Sequence, residues 1–361
     1  MREVVIVIRD LYLEPERASR AADAAALPIS EASAGPGAGA GVAPGIEQLA
    51  RFGDKATLPE GWRSWIAHWL AVPQYASAAP ASIAAANLAD VSVERAVWLA
   101  TPLHLIAGLT SVHFDRRSIL HLPGAELEEL AASFRETFWG SGFDLHPLAG
   151  GEFLLSGPLS ATQASTTEPA RMLLTSVADA LPAGGGAQPL RRLSAEIEMW
   201  LHTHPLNEER ARRGAPPVAT LWVWGGGGAP VSMPAVVARE IADAVYGSDA
   251  YIQGLWRLAG GETRPLPVDW TTVIGEPRAQ RALGVVEVAE LLHANGSWNL
   301  SDAVAEIDRR LISPSLAALR RGKLERLMLL ANDRCLSLHA ADRWRLWRRM
   351  RPVPRGLEGL T

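Results

Sequence analysis

Residues 202–228 read HTHPLNEERARRGAPPVATLWVWGGGG. The stretch gathers two histidines, an asparagine, an arginine cluster, two tryptophans and four glycines. Arg210 and His204 are donors suited to a phosphate or carboxylate. Gly225, Gly226 and Gly227 follow an apolar run and can expose successive backbone N–H groups as an anion-binding concavity. Ordinary helix grammar accounts for part of the same pattern. Asn207 followed by Glu208 and Glu209 fits a capped helix start with acids at the positive end of its dipole. Arg210, Arg212 and Arg213 fit its last turn, and Gly214 fits the residue after it. Trp222 and Trp224 suit either a core or the wall of a site. No G-x-x-x-x-G-K-[ST] is present, so the glycines are not a P-loop.

A second candidate is Asp10. Residues 4–8, Val-Val-Ile-Val-Ile, form a continuous β-branched run that reads as a strand buried on both faces. Functional residues in open α/β sheets gather just past the carboxyl ends of such strands, and Asp10 stands there.

Strands alternate with helices at both ends of the chain. A strand is expected over 4–8, helices over 44–53 and 59–70, strands over 218–224 and 327–330, strand or strand–helix pieces over 270–274 and 283–288, and a long helix over 298–321 with an interruption near Pro314. Residues 233–246 and 251–259 read as helical, and residues 21–45 as a long loop. The middle breaks the alternation: strands over 97–106 and 112–122, a helix over 124–139, a hairpin around Gly150-Gly151, and helices over 172–181 and 190–202. This organisation predicts an α/β protein with a doubly wound, mostly parallel sheet, its core formed by 1–96 and 206–361, carrying an inserted α+β module over 97–205.

The 361 residues suffice for a large core. A net charge of −4 offers no basic footprint for nucleic acid. The one cysteine, Cys335, excludes an intramolecular disulfide and a thiolate metal cluster. No segment approaches membrane-span length, so a cytoplasmic location without membrane contact is expected. Lys55 and Lys323 are the only lysines among 35 cationic residues. The tail from Asp342 mixes arginine with tryptophan and reads as a helix. His104 reads as a structural histidine, and the pair His202/His204 lacks a third partner in sequence for a metal site.

The spacing His204-Pro205-x-Asn207-x-x-Arg210-x-x-x-Gly214-x-x-Pro217, then Trp222-x-Trp224-Gly225-x-Gly227, resembles the signature of the archaeal-type cofactor-independent phosphoglycerate mutases of the alkaline phosphatase superfamily. Residues 98–156, with Thr101-Pro102-Leu103-His104-Leu105, resemble a proteobacterial branch of uncharacterised, regulatory-type proteins. The resemblance implies an alkaline phosphatase-like fold. It also implies phosphoryl transfer through a serine with two divalent cations held by hard aspartate and histidine donors. Under it Asp10, Asp333 and His293 correspond to metal ligands. The chain departs from the pattern at several points. Leu11 stands where a glycine is expected after Asp10, Arg334 where a histidine follows Asp333, and Ala289 where an aspartate is expected. An arginine stays protonated and cannot ligate a metal. Ser64 and Ser82 lie in the region of the nucleophile but outside its motif. The expectation is therefore a mutase-like protein without catalysis, with no cofactor, in a regulatory role or binding a phosphorylated metabolite or a protein partner. His204, Asn207, Arg210, Trp222, Trp224 and Gly225 to Gly227 are its candidate ligand-binding residues, and Asp10 and Asp333 are vestigial. The alternative is an active mutase converting 3-phosphoglycerate to 2-phosphoglycerate, which alone calls for Mn or Mg.

Overall fold

The computed structural model describes residues 2–11, 43–88, 91–107, 112–113, 115–158, 164–172, 177–231, 243–276, 279–331 and 333–344. Most of the expected 21–45 loop and the tail beyond residue 344 lie outside them. The strands in chain order are β1 (Glu3–Ile8), β2 (Asp54–Thr57), β3 (Ala96–Leu103), β4 (Ile106–Ala107), β5 (Val112–His113), β6 (Asp144–Pro147), β7 (Phe153–Gly157), β8 (Thr220–Gly228), β9 (Asp243–Tyr246), β10 (Arg281–Val286), β11 (Arg326–Ala331) and β12 (Arg334–His339). The helices used below are α1 (Pro44–Phe52), α2 (Gly61–Trp69), α3 (Pro80–Ala84), α4 (Gly124–Thr137), α5 (Ala187–His202), α6 (Pro205–Arg212), α7 (Ala250–Leu258), α8 (Val288–Ala294), α9 (Leu300–Ile307) and α10 (Ser313–Arg320).

Six strands form the first sheet in the order β2-β12-β11-β1-β10-β9. β11, β1, β10 and β9 run parallel, while β12 and β2 add antiparallel strands along one edge. The run at residues 4–8 is buried because both faces of the sheet are covered. Val4, Ile6 and Ile8 pack with Ile46, Leu49, Ile307 and Leu316 of α1, α9 and α10. Val5 and Val7 pack with Trp62, Ile66 and Leu255 of α2 and α7. Side chains alternate across a strand, so one apolar run supplies two cores. Each fully buried aliphatic side chain contributes about 1.5–3 kcal/mol.

The second sheet is antiparallel, β6-β7-β3-β8. Its outer face buries Trp98, Phe153 and Leu155 against Phe134 of α4 and Ile197 and Leu201 of α5. Its inner face, with Leu99, Leu154, Trp222 and Trp224, packs on Ala250 and Ala289 at the starts of α7 and α8. The inner face of this sheet thus meets the carboxyl ends of the parallel strands.

Several elements differ from the sequence reading. β8 belongs to the second sheet, and Leu206, Val218, Leu221 and Val223 join its core. The return to the first core therefore comes after residue 228 rather than at 206, because strand pairing with β3 outweighs the helix–strand alternation seen in sequence. Residues 243–246, expected to be helical, form β9, drawn into the sheet by pairing with Arg281 to Gly284. The expected strand over 112–122 is reduced to the pair 112–113, a tight turn at 116–118 and a single bridge from Ile119 to Leu103. Residues 169–172 form a four-residue helix and 177–180 a tight turn where one helix was expected over 172–181, and 173–176 lie outside the described residues. β11 is not the last strand. Asp333 turns the chain into β12, and Cys335 is buried there opposite Leu330.

Candidate functional site

Ile8 and Val286 are register partners on β1 and β10. The residues that follow them, Arg9 and Glu287, therefore emerge side by side beneath the second sheet. The Arg9 side chain is only 11% exposed, and each of its three nitrogens meets a different carboxylate. Nη2 donates to Glu152 Oε1 at 3.0 Å, Nη1 to Asp249 Oδ2 at 2.8 Å, and Nε lies 2.9 Å from Glu287 Oε2. Glu152 opens β7, and its Oε1 also accepts from Thr101 Oγ1 at 2.9 Å. The Thr101 hydroxyl in turn accepts from Trp224 Nε1 at 2.8 Å. Asp249 caps α7 with its other oxygen, accepting from Ile252 N at 2.9 Å.

His121 completes the cluster. Its Nε2 is 3.3 Å from Glu287 Oε2, and its Nδ1 is 3.1 Å from the Gly150 carbonyl. Burial disfavours the imidazolium, but Glu287 overcomes this and raises the His121 pKa to about 9. Burial likewise penalises the Glu287 carboxylate, yet Arg9 and His121 draw it down to about 2. Burial also opposes the Arg9 charge, and the three acids hold it well above the ordinary arginine value. The cluster is a closed ionic chamber with Arg9 and His121 as its fixed cations. Only about 10 Å³ of open space remains inside, at most the room of one water.

Asp10 lies at the chamber's edge and is 1% exposed. Its Oδ1 accepts from Val288 N at 2.7 Å and its Oδ2 from Ala289 N at 2.9 Å, which caps the start of α8. Burial, with repulsion from Glu287, raises its pKa to about 6 against those two bonds. Asp333 also follows a strand end, since Ala331 is the register partner of Ile8. Its carboxylate stands 45% exposed beside Arg334, with Oδ1 4.0 Å from Arg334 Nε. His293 Nε2 lies 2.6 Å from the Ile119 carbonyl, and burial lowers its pKa. The two divalent cations implied by the resemblance do not fit this donor set. Both Asp10 oxygens are taken by amides, and Glu152, Asp249 and Glu287 are turned onto a guanidinium. Among the described residues no group of three or more His, Cys, Asp or Glu is arranged to hold a metal ion.

The 202–228 stretch divides. His204 caps α6, its Nδ1 accepting from Leu206 N at 3.1 Å, and its ring packs edge-on to Trp200. Asn207 Nδ2 donates to the carbonyls of Leu201 (2.7 Å) and Val218 (2.9 Å), while its Oδ1 accepts from Val218 N at 2.8 Å. Arg210 donates from Nε to Pro216 O at 2.8 Å and from Nη1 to Glu126 of α4. These three side chains tie α6 to α4, α5 and the approach to β8, away from the chamber. Gly225 to Gly228 continue β8 rather than leaving it. Gly225 has φ +64° and donates its N–H to Thr166 Oγ1 at 3.1 Å. A Cβ at Gly226 would sit 2.1 Å from Trp98 Cδ1. Trp222 Nε1 donates to Thr167 O at 2.8 Å. Of the stretch, only Trp224 reaches the chamber.

Sequence reasoning missed Arg9, Thr101, His121, Glu152, Asp249 and Glu287. The rule that selected Asp10 also selects Glu287, an acid directly after a buried strand. The others have no common spacing.

No family model matches the chain. It is distantly similar to a probable 2,3-bisphosphoglycerate-independent phosphoglycerate mutase of Geobacter sulfurreducens, 22% identical over 219 residues. That match spans 56% of this chain and about half, 54%, of the relative's length. Among solved structures, a Pyrococcus horikoshii protein aligns over 99% of this chain and 92% of its own, with 11% identity and a TM-score of 0.48. The cofactor-independent phosphoglycerate mutase of Thermoplasma acidophilum aligns over 94% and 90%, with 15% identity and a TM-score of 0.36. No helix among the described residues is long and apolar enough to cross a membrane.

Proposed function

We propose that this chain is a mutase-like protein without metal-dependent phosphoryl transfer, acting in phosphorylated-metabolite binding or regulation. One observation carries the reading. At the carboxyl end of β1 the three nearest carboxylates are turned onto the Arg9 guanidinium, and Asp10 spends both oxygens on the backbone of α8. Two-metal catalysis needs carboxylates free to bind cations and an open position for substrate. A chamber with room for one water offers neither. In this reading His204, Asn207 and Arg210 are the scaffold of the second sheet, and Trp224 is the member of the stretch that lines the chamber.

The distant likeness to a probable mutase supplies the reaction to test. Purified chain is assayed for interconversion of 3-phosphoglycerate and 2-phosphoglycerate with Mn²⁺ or Mg²⁺, and Mn²⁺ binding is titrated in parallel. The expected result is no metal-stimulated turnover and no tight Mn²⁺ site. Metal-dependent turnover overturns the reading in favour of an active mutase.

A further inference from the structure

Across Glu168 from the chamber lies a second cavity of about 410 Å³, walled in part by Arg63, Ser64, Ser77 and Arg171. The Arg63 guanidinium is framed by aromatic rings from three elements. Its central carbon is 4.6 Å from the ring centre of Trp62 on α2, 5.1 Å from Trp224 on β8 and 5.7 Å from Tyr251 on α7. These ring contacts hold the guanidinium in addition to any acid it pairs with. Its fork is filled. Nη1 and Nη2 donate to Glu168 Oε2 and Oε1 at 3.1 and 2.7 Å, the bidentate geometry a carboxylate fits best.

Glu168 is carried by the segment 164–172, which lies along β8 through the Gly225–Thr166 and Trp222–Thr167 bonds. Burial disfavours its charge, but Arg63, Arg9 and Arg171 together hold its carboxyl below the ordinary range. Arg63 and Arg171 both line the cavity. The acid on the cavity's other side, Glu60, accepts from Ser64 Oγ at 2.7 Å. The volume lies within the range of small-molecule sites, roughly 300–1,000 Å³, and Trp62 forms part of its wall.

We propose that this cavity binds a small organic carboxylate, which takes the Arg63 fork from Glu168. Glu168 is then an internal stand-in for the ligand's own carboxylate, and the 164–172 segment shifts when the ligand arrives. A tethered competitor acts at an effective concentration in the millimolar range, so it masks a weak ligand until its charge is removed. The cavity shares Glu168 with the chamber, but its test is separate: mutase turnover overturns the chamber's reading, and the glutarate titrations alone decide this one.

The full chain is titrated by calorimetry with glutarate, which carries the same carboxylate end as a glutamate side chain, and separately with inorganic phosphate. Glu168→Gln keeps the side-chain shape and removes the competing charge. It is expected to bind glutarate about ten-fold or more tighter than the unaltered chain, as loss of a tethered competitor requires. Adding Arg63→Gln abolishes that gain. In the unaltered chain, saturating glutarate is expected to speed backbone hydrogen exchange within 164–172, a readout that does not depend on any variant folding. No gain in folded Glu168→Gln, a gain for phosphate alone, or unchanged exchange in 164–172 overturns the proposal.

Discussion

Arg9 Nε and Glu287 Oε2 lie 2.9 Å apart, one residue beyond the paired strand ends Ile8 and Val286. Register in the parallel sheet makes them neighbours, although 278 positions separate them in the chain, counted from 9 to 287. Arg9→Met leaves Glu152 and Asp249 without their cation and Glu287 with His121 alone, which costs about 3–5 kcal/mol. Arg9→Lys recovers only part of this, because an ammonium is a point donor and cannot fork three ways. Urea unfolding checks both, and a loss below about 1 kcal/mol in Arg9→Met refutes the hub role.

His121 makes stability fall on the alkaline side. Its folded pKa of about 9 lies above the unfolded value of about 6.5. A raised histidine stabilises fully below the unfolded pKa and loses that contribution as pH rises through the folded one. Melting temperature should therefore drop between pH 6.5 and 9, and His121→Gln should flatten that slope. Glu287 gives the acid counterpart. Its folded pKa of about 2 is depressed, so its stabilisation holds above the ordinary carboxylate range, about 4.3, and disappears as pH falls toward 2. Equal slopes for the unaltered chain and His121→Gln above pH 6.5 contradict the assignment.

Asn207→Ala removes three hydrogen bonds joining the end of α5 to the residues before β8, and it leaves Val218 N without its acceptor. A loss of about 2–3 kcal/mol is expected. Asn207→Asp keeps acceptance from Val218 N but sets a carboxylate oxygen against the carbonyls of Leu201 and Val218, so it is expected to lose at least as much as Asn207→Ala. Chemical denaturation ranks the three proteins, and Asn207→Ala unfolding like the unaltered chain removes the role.

Gly226→Ala and Gly214→Ala separate packing from backbone conformation. A Cβ at Gly226 meets Trp98 at 2.1 Å and the Val97 carbonyl at 2.3 Å, whereas at Gly214 nothing lies within 4 Å and φ is +71°. Overpacking at Gly226 costs about 3 kcal/mol or more. The left-handed conformation alone costs about 1–2 kcal/mol at Gly214. Thermal unfolding in which Gly214→Ala is the more damaging of the two contradicts this account.

The parallel core was legible wherever apolar runs were long, as at residues 4–8 and 327–330, because burial on both faces leaves an uninterrupted pattern. β9 was not legible. Its four residues pair at the sheet edge and adjoin a segment read as helical. The helix grammar of 204–214 was legible and matches α6, since capping is local. The chamber was not, because Arg9, His121, Glu152, Asp249 and Glu287 come from five separate places that only strand register and sheet-on-sheet packing bring together. The glycines of 225–228 suggested an anion nest, while their bulk-free positions admit Trp98 and let β8 continue.

The position of β1 also orders assembly in time. Its two neighbours, β10 and β11, begin at Arg281 and Arg326, so the centre of the first sheet stays unpaired until most of the described chain has been synthesised. The strands of the second sheet all fall between Ala96 and Gly228 and can pair earlier. A nascent chain therefore carries five consecutive β-branched residues exposed through most of its synthesis, and closing so long a loop is slow. A chain interrupted before β10 therefore keeps this apolar run without its strand partners.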